Sequence, residues 1–159
     1  MLYSCLKCAK ISNRFGNNER KKETTVDSKS EASQYPVSSL AYLGDCVFEL
    51  CVREYLVRNN EAHPSVKSLE YVTAHVQSGA VEKLLPLLDD EETSIYKRGR
   101  NTGHTSVPKS SSAGEYRRAT GLESLFGWLY LQGRKDRIDE LFSRAFVQTE
   151  EDTSEQEFV

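Results

Sequence analysis

The chain has 159 residues, of which 38% are hydrophobic and 28% charged, and a formal net charge of −3. That length is one domain's worth of sequence, able to bury roughly two thirds of its unfolded surface, and it leaves no room for a second domain of ordinary size. No apolar run approaches the roughly 18 residues that would suggest a membrane span, so none is expected.

Residues 1 to about 35 are polar and mixed in charge, and "NNERKKETTVDSKSEASQ" reads as disorder. The first 18 residues lack acids and hold Lys7, Lys10 and Arg14, a composition similar to an organelle transit peptide. There is no secretory apolar core, so a cytoplasmic protein is expected, with a plastid as the alternative. Cys5 and Cys8 in "CLKC" have zinc-knuckle spacing, but no second ligand pair follows nearby. Free thiols are expected there, as at Cys46 and Cys51, whose spacing on one helix points them to different faces.

From Pro36 the pattern turns helical. The spacing predicts a long helix over Pro36–Asn59, with Pro36 near its start. "HPSVKSLEYVTAHVQSGAVEKLLPLL" predicts one or two helices over Pro64–Gln77 and Ser78–Leu88, disturbed at Gly79 and Pro86. "DDEETSIYKRGRN" has acids in front and bases behind, the polarity a helix dipole favours. "TGHTSVPKSSSAGE" reads as a loop. A penultimate helix covers about Glu115–Gln132, Gly133 stops it, and a last helix covers Lys135–Val147. Period-2 alternation is scarce, so the predicted fold class is all-α: a core over residues 36–148, followed by an acidic, disordered tail over 149–159.

Two of these helices contain an anomaly. In "LAYLGDCVFELCVREYL" apolar residues cover so much of the circumference that the helix is expected to be buried on nearly all sides, yet it carries Asp45. In "GLESLFGWLYL" Glu123 interrupts a comparable apolar run. Burying an unpaired carboxylate costs several kcal/mol, a large part of a domain's net stability. On helical geometry Ala41, Asp45 and Glu49 share one stripe, while Thr120, Gly127 and Tyr130 flank Glu123, with Gly44 and Gly127 allowing close helix approach. Two such acids share a proton, pair with a cation such as Arg53 or Arg117, or hold a divalent metal with water and phosphate completing its shell.

The neighbouring chemistry bears on that choice. Residues 36–148 carry 14 Lys and Arg against 15 Asp and Glu, but between Lys97 and Arg118 there are six cations and the single acid Glu115. Lys97, Arg98, Arg100, Lys109, Arg117 and Arg118, together with Asn101, His104 and Ser106, suit a phosphate backbone. A merely solvated charged face is the alternative. Acids beside bases favour a metal-dependent phosphodiesterase.

These motifs also resemble a known family. "LAYLGDCVFEL" looks like the signature helix of the ribonuclease III family, and "GLESLFGWLYL" resembles its second catalytic helix. "KRGRNTGHTSVPK" between them is similar to the basic motif of one branch, Mini-ribonuclease III. The likeness runs in order over about residues 38–146. Larger family members have two further carboxylates, at the positions of Ala41 and Thr120 here; the Mini branch shows the same reduction and no separate double-stranded-RNA-binding domain. The resemblance implies an all-helical homodimer, with the signature helix at its interface, that cuts double-stranded RNA with Mg²⁺. Precursor 23S ribosomal RNA is the first substrate to name, its 5′ and 3′ ends being matured with or without help from a large-subunit ribosomal protein. It implies Asp45 and Glu123 as catalytic metal ligands, Glu49 as an outer orienting group, and Lys97, Arg98, Arg100, Asn101 and Lys109 on the RNA. Arg117 and Arg118 are left between RNA binding and pairing with the acids. A catalytically silent RNA-binding or ribosome-assembly factor on the same fold is the alternative function.

Overall fold

A computed structural model of the protein describes residues 34–102 and 111–147. Most of the N-terminal segment with Cys5 and Cys8, the tail 149–159, and His104, Ser106 and Lys109 lie outside the described residues. Those described form helices and turns without a strand. In chain order the helices are α1 (Val37–Arg58), α2 (Pro64–Lys67), α3 (Ala74–Leu84), α4 (Asp90–Arg100), α5 (Ala113–Leu131) and α6 (Lys135–Phe146), with single 3₁₀ turns at Ser68–Glu70 and Leu85–Leu87.

Local chemistry sets most of the boundaries. Asp89 and Glu92 form a capping box at α4, and Ser112 and Glu115 form another at α5, each satisfying orphan N–H groups of the first turn. The second box starts α5 two residues earlier than the apolar pattern alone suggests. Gly133, at φ +71°, takes the left-handed conformation that ends α5. The stretch from Pro64 to Leu88 breaks at Tyr71–Thr73 rather than at Gly79, because Thr73 Oγ1 accepts from Val76 N and caps a new helix. Gly79 sits inside α3, facing open space.

α5 is the central element, packed against α1, α3, α4 and α6. Leu122, Leu125, Phe126, Trp128 and Leu129 are enclosed, which explains a helix apolar around its whole circumference. Phe48 of α1 meets Phe126 edge-on at 5.8 Å between ring centroids, and Phe142 and Phe146 of α6 extend this aromatic cluster. Two glycines decide how α1 crosses α5. A Cβ on Gly44 would lie 1.7 Å from the carbonyl oxygen of Glu123, and one on Gly127 would lie 2.1 Å from that of Leu40. The two backbones touch, and no side chain fits between them.

The expectation that α1 is enclosed on nearly all sides is not met. One stripe, with Leu40, Val47, Phe48, Val52 and Leu56, is core, while Tyr42 is 80% and Leu50 58% exposed on the outer side. Asp45 is exposed too. Among the described residues the fully buried carboxylate is Glu92, from the acid run that opens α4. It accepts from Arg134 Nη2 at 2.7 Å and from Arg137 Nε and Nη2 at 3.0 and 2.9 Å, so α4 is pinned to the start of α6.

Candidate active site

The α1–α5 crossing brings the two anomalous acids together. Asp45 follows Gly44 directly, and Glu123 lies one turn before Gly127, so backbone contact at the glycines places both carboxylates on one cleft. This cleft, of about 470 Å³, takes Ala41, Tyr42 and Asp45 from α1, Tyr116, Thr120 and Glu123 from α5, and Thr102 from just beyond α4. Ala41 and Thr120, the positions where larger relatives would have acids, thus line the same cleft as the two acids present. Thr120 Oγ1 donates to the Tyr116 carbonyl at 3.0 Å.

The electrostatics are those of two acids held close in a poorly solvated place. Burial raises the Glu123 carboxyl to about 7, and the nearby Asp45 charge adds to the rise. Asp45 sits at the exposed rim, yet the cleft walls desolvate its carboxyl, and they, followed by Glu49, push it above the ordinary Asp value. Among the described residues neither acid is ion-paired. Arg53, the proposed partner, is engaged with Glu49 at 2.5 Å. Arg118 donates from Nε to Ser78 Oγ at 2.6 Å, and neither Arg117 nor Arg118 reaches the acids as an ion pair.

The donors suit a hard cation. Two carboxylates around an open cleft can supply one or two protein ligands, which is what Mg²⁺ takes when water and phosphate oxygens complete its shell. Among the described residues no group of three His, Cys, Asp or Glu forms a closed, all-protein metal cage. Glu49 lies one turn beyond Asp45 and is not on the cleft wall. Cys46 and Cys51 are free thiols.

The basic residues gather next to this cleft. Lys97, Arg98 and Arg100 occupy the last turn of α4, and Asn101 caps it. Lys97, Arg98 and Asn101 are exposed, while Arg100 is half-buried. Tyr42 and Tyr116 also line the cleft, beyond the residues that the sequence motifs single out. Both were findable from helical spacing, Tyr42 standing three residues before Asp45 and Tyr116 seven before Glu123.

Comparison with known proteins agrees with this architecture. The family model described as "Ribonuclease III domain" matches residues 38–134. A Mini-ribonuclease 3 from Symbiobacterium thermophilum is 40% identical over 115 residues, 69% of this chain and 87% of that protein. One from Brevibacillus brevis is 39% identical over 113 residues, covering 68% and 83% of the two chains. The crystal structure of a Fusobacterium nucleatum protein superposes with a TM-score of 0.63 at 31% identity, over 69% of this chain and 90% of the other. With the motifs, the helical order and the site geometry all in register, the chain belongs to the ribonuclease III family of endoribonucleases, in its Mini-ribonuclease III branch.

Proposed function

We propose that the protein is a Mg²⁺-dependent endoribonuclease of double-stranded RNA, that Asp45 and Glu123 are its catalytic metal ligands, and that its substrate is the paired ends of precursor 23S rRNA in the cytoplasm. The observation that carries this reading is the pair of carboxylates from α1 and α5 on one cleft, without a cationic partner among the described residues and beside the basic end of α4. A structural ion pair would have brought Arg53, Arg117 or Arg118 onto these acids.

Asp45 and Glu123 would hold the cation, Glu123 as its carboxylate, the form in which a carboxyl near 7 is partly present at neutral pH. When bound, Mg²⁺ supplies Lewis-acid activation of water and neutralises charge on the departing oxygen. Glu49 and Arg53 together set the charge behind Asp45. Lys97, Arg98, Arg100, Asn101 and Lys109 hold the phosphate backbone, because A-form RNA is read through shape, phosphates and 2′-hydroxyls. Hydrolysis leaves a 5′-phosphate and a 3′-hydroxyl. Residues 36–148 form the catalytic unit. Two copies pair through the outer stripe of α1, where Tyr42 and Leu50 expose apolar surface, and each contributes one acid cleft.

The test is cleavage of a stem formed by the two ends of precursor 23S rRNA, with Mg²⁺ or EDTA, by wild type, Asp45→Asn and Glu123→Gln. Cleavage that requires the metal and drops by about 10²–10³-fold or more in either variant is expected. Wild type that binds the stem yet leaves it intact, with Mg²⁺ and large-subunit ribosomal proteins supplied, would remove this reading.

A further inference from the structure

A second concavity, of about 290 Å³, adjoins the acid cleft and is lined by Arg100, Asn101, Gly114, Arg117 and Arg118. The two adjoin because Thr102 and Tyr116, which line the acid cleft, are the chain neighbours of Asn101 and Arg117. Among the described residues three guanidinium groups line this space and no carboxylate does. Elsewhere in the described residues Arg53, Arg58, Arg134 and Arg137 each pair with an acid, but Arg100, Arg117 and Arg118 do not.

The arginines are held by groups that leave their charge in place. Arg118 uses Nε on Ser78 Oγ at 2.6 Å, and Arg100 uses Nε on Asn101 Oδ1 at 3.1 Å while lying 6.0 Å from the Tyr96 ring centre. Arg100 also hydrogen-bonds the Tyr96 side chain, a neutral partner, whereas the one bond of Arg118 comes from Nε and leaves its terminal nitrogens for a ligand. One of them, Arg118 Nη1, is at the wall of the concavity, since a Cβ on Gly114 would lie 3.7 Å from it. Like charges gathered without a counter-ion repel, and the arrangement is relieved by an anion with several oxygens. Planar guanidinium forks match the oxygens of a phosphate in pairs.

We propose that Arg100, Asn101, Arg117 and Arg118 form a phosphate-binding subsite that takes a backbone phosphodiester of the RNA strand whose scissile bond lies at Asp45 and Glu123. The proposal rests on the nuclease reading and extends it, because it assigns Arg117 and Arg118 to the substrate rather than to the acids. It makes the subsite a positioning device: it holds the strand in register and takes no part in the chemistry.

The experiment has two arms on the full-length chain. In the first, inorganic phosphate is titrated while the arginine Nε–H resonances are followed by NMR in wild type and Arg117→Gln. Shifts concentrated on Arg100, Arg117 and Arg118, and weakened in the variant, are expected. In the second, binding of an RNA duplex by Asp45→Asn, with and without Arg117→Gln, is measured against salt concentration, and steady-state cleavage is measured with Asp45 intact. Arg117→Gln should lower affinity about five- to tenfold, reduce the salt slope by about one, and raise KM with kcat nearly unchanged. Lys83→Gln, an exposed cation on α3, should alter none of these. Equal melting temperatures for wild type and Arg117→Gln guard against a folding artefact. An unchanged affinity and slope in Arg117→Gln, with cleavage intact, overturns the subsite and leaves the nuclease reading standing. If wild type cuts no duplex, the nuclease reading fails separately, and the phosphate arm decides: shifts on the three arginines retain an anion site, and their absence removes it.

Discussion

Two carboxylates in this chain stand in environments that free side chains would avoid, and they behave oppositely. Glu92 is wholly enclosed but bonded by Arg134 and Arg137; without its charge Arg134 keeps only the longer contact to Asp89, and Arg137 keeps Glu140 and the Leu87 carbonyl. Glu92→Ala is expected to destabilise the fold by about 2–3 kcal/mol, less than a fully uncompensated charge would cost because both arginines keep a second acid, read by urea denaturation. Glu123 has no such partner among the described residues, and its carboxyl is raised to about 7 from an ordinary 4.5. Between those two values the folded chain therefore binds more protons than the unfolded one, and the contribution of this group to stability falls as pH rises through the window. In metal-free protein, Glu123→Gln should flatten that pH dependence. It should also raise the melting temperature at about pH 8 by about 4 °C, the shift that about 1 kcal/mol gives in a folded unit of this size. A melting temperature in the variant that is lower at that pH would mean that Glu123 has a stabilising partner after all.

At the scale of single elements, the α1–α5 contact joins fold to site. Ala would be the better helix former at position 44, by up to about 1 kcal/mol. The Glu123 carbonyl nevertheless occupies the space that a methyl would need. Gly44→Ala is thus expected to destabilise by about 2–3 kcal/mol and to lower cleavage beyond what the loss of folded protein explains, because the helices must part where the two acids meet. Ser112→Ala tests α5 at its start: losing the cap bond to Glu115 N should cost about 1 kcal/mol. These features differ in how far they could be read in advance. Caps, the Gly133 stop and the acid-to-base polarity of α4 act within a few residues, so they were legible. The break falls at Thr73 and not between Gln77 and Ser78, because Gly79 weakens a helix by propensity alone and the packing of α3 against α5 overrides so small a term.

At the scale of the molecule, α1 leaves an apolar stripe facing outward, with Tyr42 and Leu50 prominent on it. If that stripe is the homodimer seam proposed above, Leu50→Arg should convert a dimer into a folded monomer, measured by sedimentation at micromolar concentration. A wild-type monomer under the same conditions would remove the dimer. The sequence by itself determined the helical class, the order of the helices, and Glu123 as an acid set in an apolar run, because periodicity, capping and apolar runs are short-range properties of the chain. Only the tertiary structure decided which carboxylate is buried: Glu92 rather than Asp45. It also decided that Arg53 serves Glu49 and that Arg100, Arg117 and Arg118 meet at one concavity. Burial and pairing depend on which helix covers which face, and that is settled by contacts between residues far apart in the chain, such as Gly44 on Glu123 and Arg137 on Glu92.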